Sequence, residues 1–202
     1  MTNQIASWTD VVRFHGHSCM GLAMGYRVSE AAMKELQSDR DQDEELVAIV
    51  ENDSCAVDAV QFVTGCTMGK GNLFFVDHGK PVYTFMHRNS NKAVRIVARG
   101  LDEKKYSDLA NLRKKIFAGE ATEEENEKFK LLMDKALQEY LAAPLEETVD
   151  YKMVEREPPS KARIFNSVQC ASCGEKVMEP RARVKEGQAV CIPCADLYDR
   201  KV

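Results

Sequence analysis

The sequence predicts an α+β fold in which helices flank a mixed β-sheet core, followed by a small C-terminal module organised around four cysteines. Three observations carry this reading. Leu46–Val50 is a β-branched apolar run leading through Asn52-Asp53-Ser54, residue types that cap helices, into a helical stretch, which is the local pattern of a layered α/β or α+β domain. Further strand-like runs follow it, separated by glycine and proline turns. The last forty or so residues are poor in large apolar side chains yet hold two Cys-x-x-Cys pairs, so they fold around something other than their own core.

Taken in chain order, the first helix is expected from Gly21 to Leu36, with Leu22, Tyr26, Met33 and Leu36 on one face. Leu46–Val50 then forms a strand buried on both faces, and Cys55 to Val63 a helix stopped by Gly65. Three glycines make Thr64 to Asn72 a loop. Leu73 to Asp77 and Val82 to His87 read as a hairpin around His78-Gly79-Lys80-Pro81, and Ala93 to Ala98 as a further strand, giving a sheet of four or five strands. Asp108 to Phe117 and Glu123 to Leu141 are two helices, the first ended by Gly119, the second opened by a Thr122/Glu125 capping box and largely solvated. From Pro144 to Ser160 the periodicity fades and Glu157-Pro158-Pro159-Ser160 appears, so a connecting strap is expected. The domain reading is a core over 1–155, a linker over 156–165 and a tail over 166–202.

Composition narrows the function. The 202 residues are 44% hydrophobic and 30% charged, with 28 Lys+Arg against 32 Asp+Glu and a net charge of -4, so no overall positive field draws the chain to nucleic acid or an anionic membrane. Apolar runs are far shorter than the roughly 18 residues that cross a bilayer, and the start Thr2-Asn3-Gln4 lacks the pattern of a signal peptide; a cytoplasmic protein is expected. In that reducing compartment seven cysteines are read as metal ligands, reactive thiols or core residues.

Cys170-Ala-Ser-Cys173 and Cys191-Ile-Pro-Cys194 are separated by 17 residues, a spacing of four-thiolate zinc sites. Val177 to Val190, turning at Lys185-Glu186-Gly187-Gln188, is expected to fold back as a hairpin that joins the pairs, with a helix opening at Cys194-Ala-Asp-Leu-Tyr-Asp. Knuckle, hairpin and helix make a treble-clef zinc finger with a closed structural zinc. Arg181, Arg183 and Lys185 form only a short basic edge, too small for a nucleic-acid surface.

The second concentration of chemistry is Phe14-His15-Gly16-His17-Ser18-Cys19-Met20-Gly21, two imidazoles and a thiol just before a helix. A thiol at a helix start is favoured as thiolate, the form that binds metals, and Cys55 holds the same position after the central strand. His17, Cys19 and Cys55 are therefore candidate ligands and catalytic groups for zinc or another transition metal, with a fourth position open. His15, one residue from His17 and so expected to point away from it, is a candidate supporting or additional ligand. Cys66 reads as a buried apolar residue. The loop Gly65-Cys-Thr-Met-Gly69-Lys70-Gly71-Asn72 is not a Walker A motif, although Lys70 and its glycines suit an anion; Asp58 and Gln61 share a helix face toward the same cleft.

These residues together resemble a known family. Phe14-His-Gly-His-x-Cys-x-Gly21, Gly25-Tyr26-Arg27, Cys55-x-x-Asp58-Ala59-x-Gln61, Thr64-Gly-Cys-Thr-x-Gly-Lys-Gly-Asn-Leu73 and Asp77-x-Gly-Lys80 are similar to the FmdE family of formylmethanofuran dehydrogenase-related proteins, in its two-domain form with a C-terminal zinc finger. The resemblance implies a metal site at His17, Cys19 and Cys55 with His15, Asp58, Gln61 and Lys70 nearby. It also implies association with molybdenum or tungsten formylmethanofuran dehydrogenase and one-carbon metabolism, typically in anaerobes. Met20 stands where many members carry proline. The function expected is a metal-binding protein of this kind, acting as an accessory or component of such an enzyme; the alternative is a non-enzymatic sensing, delivery or assembly module. A homodimer is expected, with no membrane or nucleic-acid partner.

Overall fold

The computed structural model describes residues 5–90 and 92–195. It divides into two compact units between Lys161 and Ala162.

The first unit opens with a helix outside the sequence expectation, α1 (Trp8–His15). Ser7 caps it, its hydroxyl accepting from the Asp10 N–H at 3.2 Å and donating to the Asp10 carboxylate at 2.7 Å. Gly16, at φ 99°, ends it in a left-handed turn. Helix α2 (Met20–Leu36) follows, then strand β1 (Leu46–Val50), buried along its whole length. Helix α3 (Ala56–Thr64) is stopped by Gly65 at φ 77°.

Strands β2 (Leu73–Phe75), β3 (Val82–His87), β4 (Lys92–Ala98) and β5 (Val149–Glu155) complete a five-stranded sheet in the order β2-β1-β3-β4-β5. β2 runs parallel to β1, with Ala48 opposite Leu73; the other pairs are antiparallel. The expected β2/β3 hairpin is thus wrong. α3 acts as the crossover that returns the chain beside β1 in the same direction. The following segment passes over the end of β1, where the Lys80 N–H donates to the Glu51 carbonyl at 3.0 Å, and β3 lands on the far side. The strap reading of Pro144 to Ser160 is also corrected, since α6 (Leu145–Thr148) and edge strand β5 occupy most of it. Only one face of β5 is apolar, and Asp150, Lys152 and Glu155 mask its pattern.

Alternation along β1 feeds both faces of the sheet. Leu46, Ala48 and Val50 join the main core with Val11, Leu22, Val28, Val60 and Phe85, under α1–α3. Val47 and Ile49 pack with Met86 and Ala93 on the other side. Helices α4 (Ser107–Phe117) and α5 (Glu123–Ala142) lie between β4 and α6 in sequence, and α5 carries the expected capping box. α5 docks through Leu137 and Tyr140, packed with Ala23 of α2. Among the described residues no helix is long and apolar enough to cross a membrane.

The second unit holds two antiparallel hairpins rather than one. β6 (Ser167–Gln169) pairs with β7 (Lys176–Met178), and β8 (Arg183–Lys185) with β9 (Gln188–Val190). Glu186 and Gly187, at φ 52° and 77°, make the second turn. The helix expected after Cys194 lies outside the described residues.

Candidate metal centre

The tail cysteines converge because each pair sits in a backbone turn. The Cys170 N–H donates to the Glu175 carbonyl and the Gly174 N–H to the Cys170 carbonyl, both at 2.9 Å, closing the first knuckle. The Ala171 N–H donates to the Ala189 carbonyl on β9, and the Cys194 N–H to that of Cys191. All four sulfurs consequently lie within 4.8 Å of one another, with Cys173 and Cys191 at 3.8 Å. Zinc–sulfur bonds of about 2.3 Å in a tetrahedron space their sulfurs by about 3.8 Å, so the set fits zinc. Backbone N–H groups of Cys173 and Cys191 pull the Cys170 thiol down to about 6. Cys173 feels a similar pull from the Glu175 N–H, but the surrounding thiols push it up to about 12. A cluster that accepts one negative charge readily and resists the next lacks a central cation.

The N-terminal cluster is built where three helix ends meet. Gly25 is the packing device: a Cβ there would stand 2.2 Å from the Ala56 carbonyl oxygen, so only glycine lets α2 rest on α3. One turn earlier, a Cβ at Gly21 would lie 3.3 Å from Cys55 Cβ and 4.0 Å from the sulfurs of both Cys19 and Cys55. Two helix starts are thereby set side by side, Cys19 capping α2 and Cys55 preceding α3.

His15, His17 and Cys19 place one ligand atom each within 4.8 Å of one another. The left-handed turn at Gly16 folds His17 back, leaving the two imidazole centroids 4.5 Å apart, so the expectation that these rings diverge is corrected. His15 Nδ1 donates to Asp58 Oδ2 at 2.7 Å, and Gln61 Nε2 donates to Asp58 Oδ1 at 3.4 Å. The acceptor-only carboxylate fixes the tautomer, and Nε2 keeps its lone pair. That Nε2 is buried with no hydrogen-bond partner. His17 is exposed, giving the cluster an open side.

The Leu22 N–H at the start of α2 donates to Cys19 Sγ at 3.3 Å, as expected for a capping thiol. Burial nonetheless pushes the Cys19 thiol up, and the neighbouring Cys55 thiol adds to this, so the helix start alone does not favour thiolate. Cys55 stands beside Cys19 rather than within the His15/His17/Cys19 group. Lys70 belongs elsewhere: its ammonium donates to Asp41 Oδ2 at 3.1 Å, and Asn72 donates to the same oxygen at 2.9 Å. The glycine loop is a structural clasp on buried Asp41, and the anion role considered for Lys70 falls. A cleft of 220 Å³ begins at Gly21 and is walled by Met24, Ser54, Lys80 and Tyr83.

Residues 14–150 match the family described as FmdE, molybdenum formylmethanofuran dehydrogenase operon. Residues 163–200 match the prokaryotic dksA/traR C4-type zinc finger. A probable S-adenosyl-L-methionine-binding protein of Archaeoglobus fulgidus is 35% identical over 192 residues, covering 92% of this chain. The chain spans about half, 51%, of that relative's length. The crystal structure of an FmdE-like protein of tungsten formylmethanofuran dehydrogenase from Syntrophus aciditrophicus is similar in fold. Its TM-score is 0.63 at 20% identity, covering 93% of this chain and 89% of that one.

Proposed function

The chain belongs to the FmdE family, and from that premise we propose that its first unit is a metal-dependent accessory of one-carbon chemistry, with His15, His17 and Cys19 holding one transition-metal ion. The observation that carries the reading is the buried, partnerless Nε2 of His15 on an imidazole whose other nitrogen is held by Asp58. An unpaired buried polar atom is costly, and a carboxylate–histidine pair with a free nitrogen suits a metal ligand. When bound, the ion would polarise a carbonyl or acidify a water at the open side. Asp58 orients His15, Gln61 steadies Asp58, and Cys55 hydrogen-bonds with Cys19. In the second unit Cys170, Cys173, Cys191 and Cys194 hold a structural zinc, which we read as a treble clef. The partners that fit this reading are components of a molybdenum or tungsten enzyme, and the compartment is the cytoplasm.

One observation favours a second reading, a non-enzymatic sensing or delivery module: Cys55 lies close enough to Cys19 to supply a fourth donor and close the site. Elemental analysis of anaerobically purified protein tests both. Two metals in the full chain and one in a variant with all four tail cysteines changed to serine support an N-terminal site; one and none remove it. Cobalt(II) spectra of wild type and Cys55→Ser then separate the readings. Unchanged bands leave the open site standing, and lost thiolate intensity favours the closed one.

A further inference from the structure

The cleft beside Gly21 shares Met24 with a larger one of 650 Å³, which opens between the start of α2, the loop at Gly100–Glu103, α4 and α5. The larger cleft is walled by Met20, Met24, Leu101, Leu109, Phe117 and Met133. Met20 follows Cys19 directly, and Met24 lies one helical turn further along the same face of α2. One apolar wall therefore runs from the candidate metal centre out to α4. On α4, Ala110, Arg113, Lys114 and Phe117 recur at helical spacing into the cleft. Arg113 lies over the Phe117 ring, 5.3 Å from its centroid, and neither Arg113 nor Lys114 has a carboxylate partner among the described residues. Glu103 is the single carboxylate in the wall, leaving two cations against one anion.

We propose that this cleft binds an amphipathic small-molecule anion: an apolar or aromatic body lying on the methionine and leucine wall, with an acidic group at Arg113 and Lys114. The body's other end points past Met24 toward His15, His17 and Cys19, so the cleft is the substrate-body site of the proposed metal centre and that last clause rests on the metal reading. Methionines suit this wall because flexible, polarizable side chains adapt to a planar guest. Arginine above an aromatic ring suits an acidic group at its rim.

The test titrates the full chain with 8-anilinonaphthalene-1-sulfonate, an aromatic body carrying one sulfonate, and in parallel with neutral N-phenyl-1-naphthylamine. One sulfonate probe should bind per chain. In Arg113→Gln/Lys114→Gln its affinity should fall by about fivefold or more while that of the neutral probe stays. Met24→Lys should weaken both, with circular dichroism and Tm checking that the variant is folded. Equal sulfonate affinity in wild type and the double charge variant overturns the proposal. So does a dimer in light scattering that excludes both probes, which would assign the cleft to a second copy of the chain. Cobalt(II) added to zinc-loaded protein examines the metal reading separately. Charge-dependent probe binding without cobalt uptake keeps the cleft and removes the centre, whereas cobalt uptake without such binding does the reverse.

Discussion

The same side chain is handled in opposite ways by the two units. In the first, Cys66 is buried beneath the sheet, its thiol donates to the Leu46 carbonyl at 3.4 Å, and burial pushes it up to about 12. In the second, the N–H groups of a tight knuckle draw Cys170 down to about 6. One thiol behaves as a small apolar residue, the other as a ligand in waiting. The first unit buries more than thirty apolar side chains, whereas the described part of the second buries only Cys170 and Val190. A core stabilises by area removed from water, and a unit without one relies on coordination. The N-terminal cluster combines both: packing by Gly21 and Gly25 assembles it, and its polar atoms await a ligand.

The sharpest way to break this contrast is to take away the tail's metal. Cys170→Ser or Cys194→Ser should release the tail, because apparent zinc-binding energies of about 10 kcal/mol or more are folding energy in such modules. The first unit should remain folded. Limited proteolysis checks this: cleavage confined to residues after Lys161 is expected, and a tail that stays resistant would refute it.

Next in size is Gly25→Ala. The added methyl has no room against the Ala56 backbone, so α2 must move off α3, at a cost of about 3 kcal/mol. For a chain of this length that lowers Tm by roughly 10 °C. Because α2 carries Cys19 and α3 carries Asp58, metal uptake at the N-terminal site should fall with stability. A Tm shift with unchanged uptake would separate the cluster from its scaffold.

Much of the scaffold was legible in sequence, for identifiable reasons. Leu46–Val50 was readable because burial on both faces leaves an unbroken apolar run, and the Thr122/Glu125 box because capping is a local interaction. The β1–β2 pairing was not, since a parallel neighbour is set by the path of α3 rather than by any adjacent turn residue. β5 was masked by charges on its exposed face. Within the site, Cys19 and Cys55 were placed at helix starts from sequence. His15 was misjudged because α1 was missed, although Ser7 and Asp10, three apart before an apolar run, were its available signal. Spacing alone also hides the left-handed turn at Gly16, which folds one imidazole against the other.

Asp58→Asn is a finer probe. It preserves shape but weakens the grip on His15 Nδ1 and the polarisation of the imidazole. Metal affinity should drop by about 10- to 100-fold with little change in Tm, since the Asp58 carboxylate is partly exposed and contributes little to folding. Competition with a chromogenic chelator measures it. Lys70→Met is the matched control, because Lys70 clasps Asp41 and touches none of the cluster; it should lower Tm and leave metal affinity alone.

The smallest effect concerns Cys66. In the unfolded chain its thiol ionises near 8.5, in the fold only at about 12, so the native state holds a proton that the unfolded state releases in between. Stability from this group is complete below the unfolded value and is lost as pH rises through that window, by about 1.4 kcal/mol per pH unit. Buried Tyr83 and Tyr140 are pushed up as well, so the total slope at high pH is not diagnostic. The difference between wild type and Cys66→Ala isolates the thiol. Wild type should lose stability faster than the variant between pH 9 and pH 10, measured by urea unfolding. Parallel slopes would mean that Cys66 ionises freely in the fold, and the contrast between the thiol that packs and the thiol that ligates would then collapse.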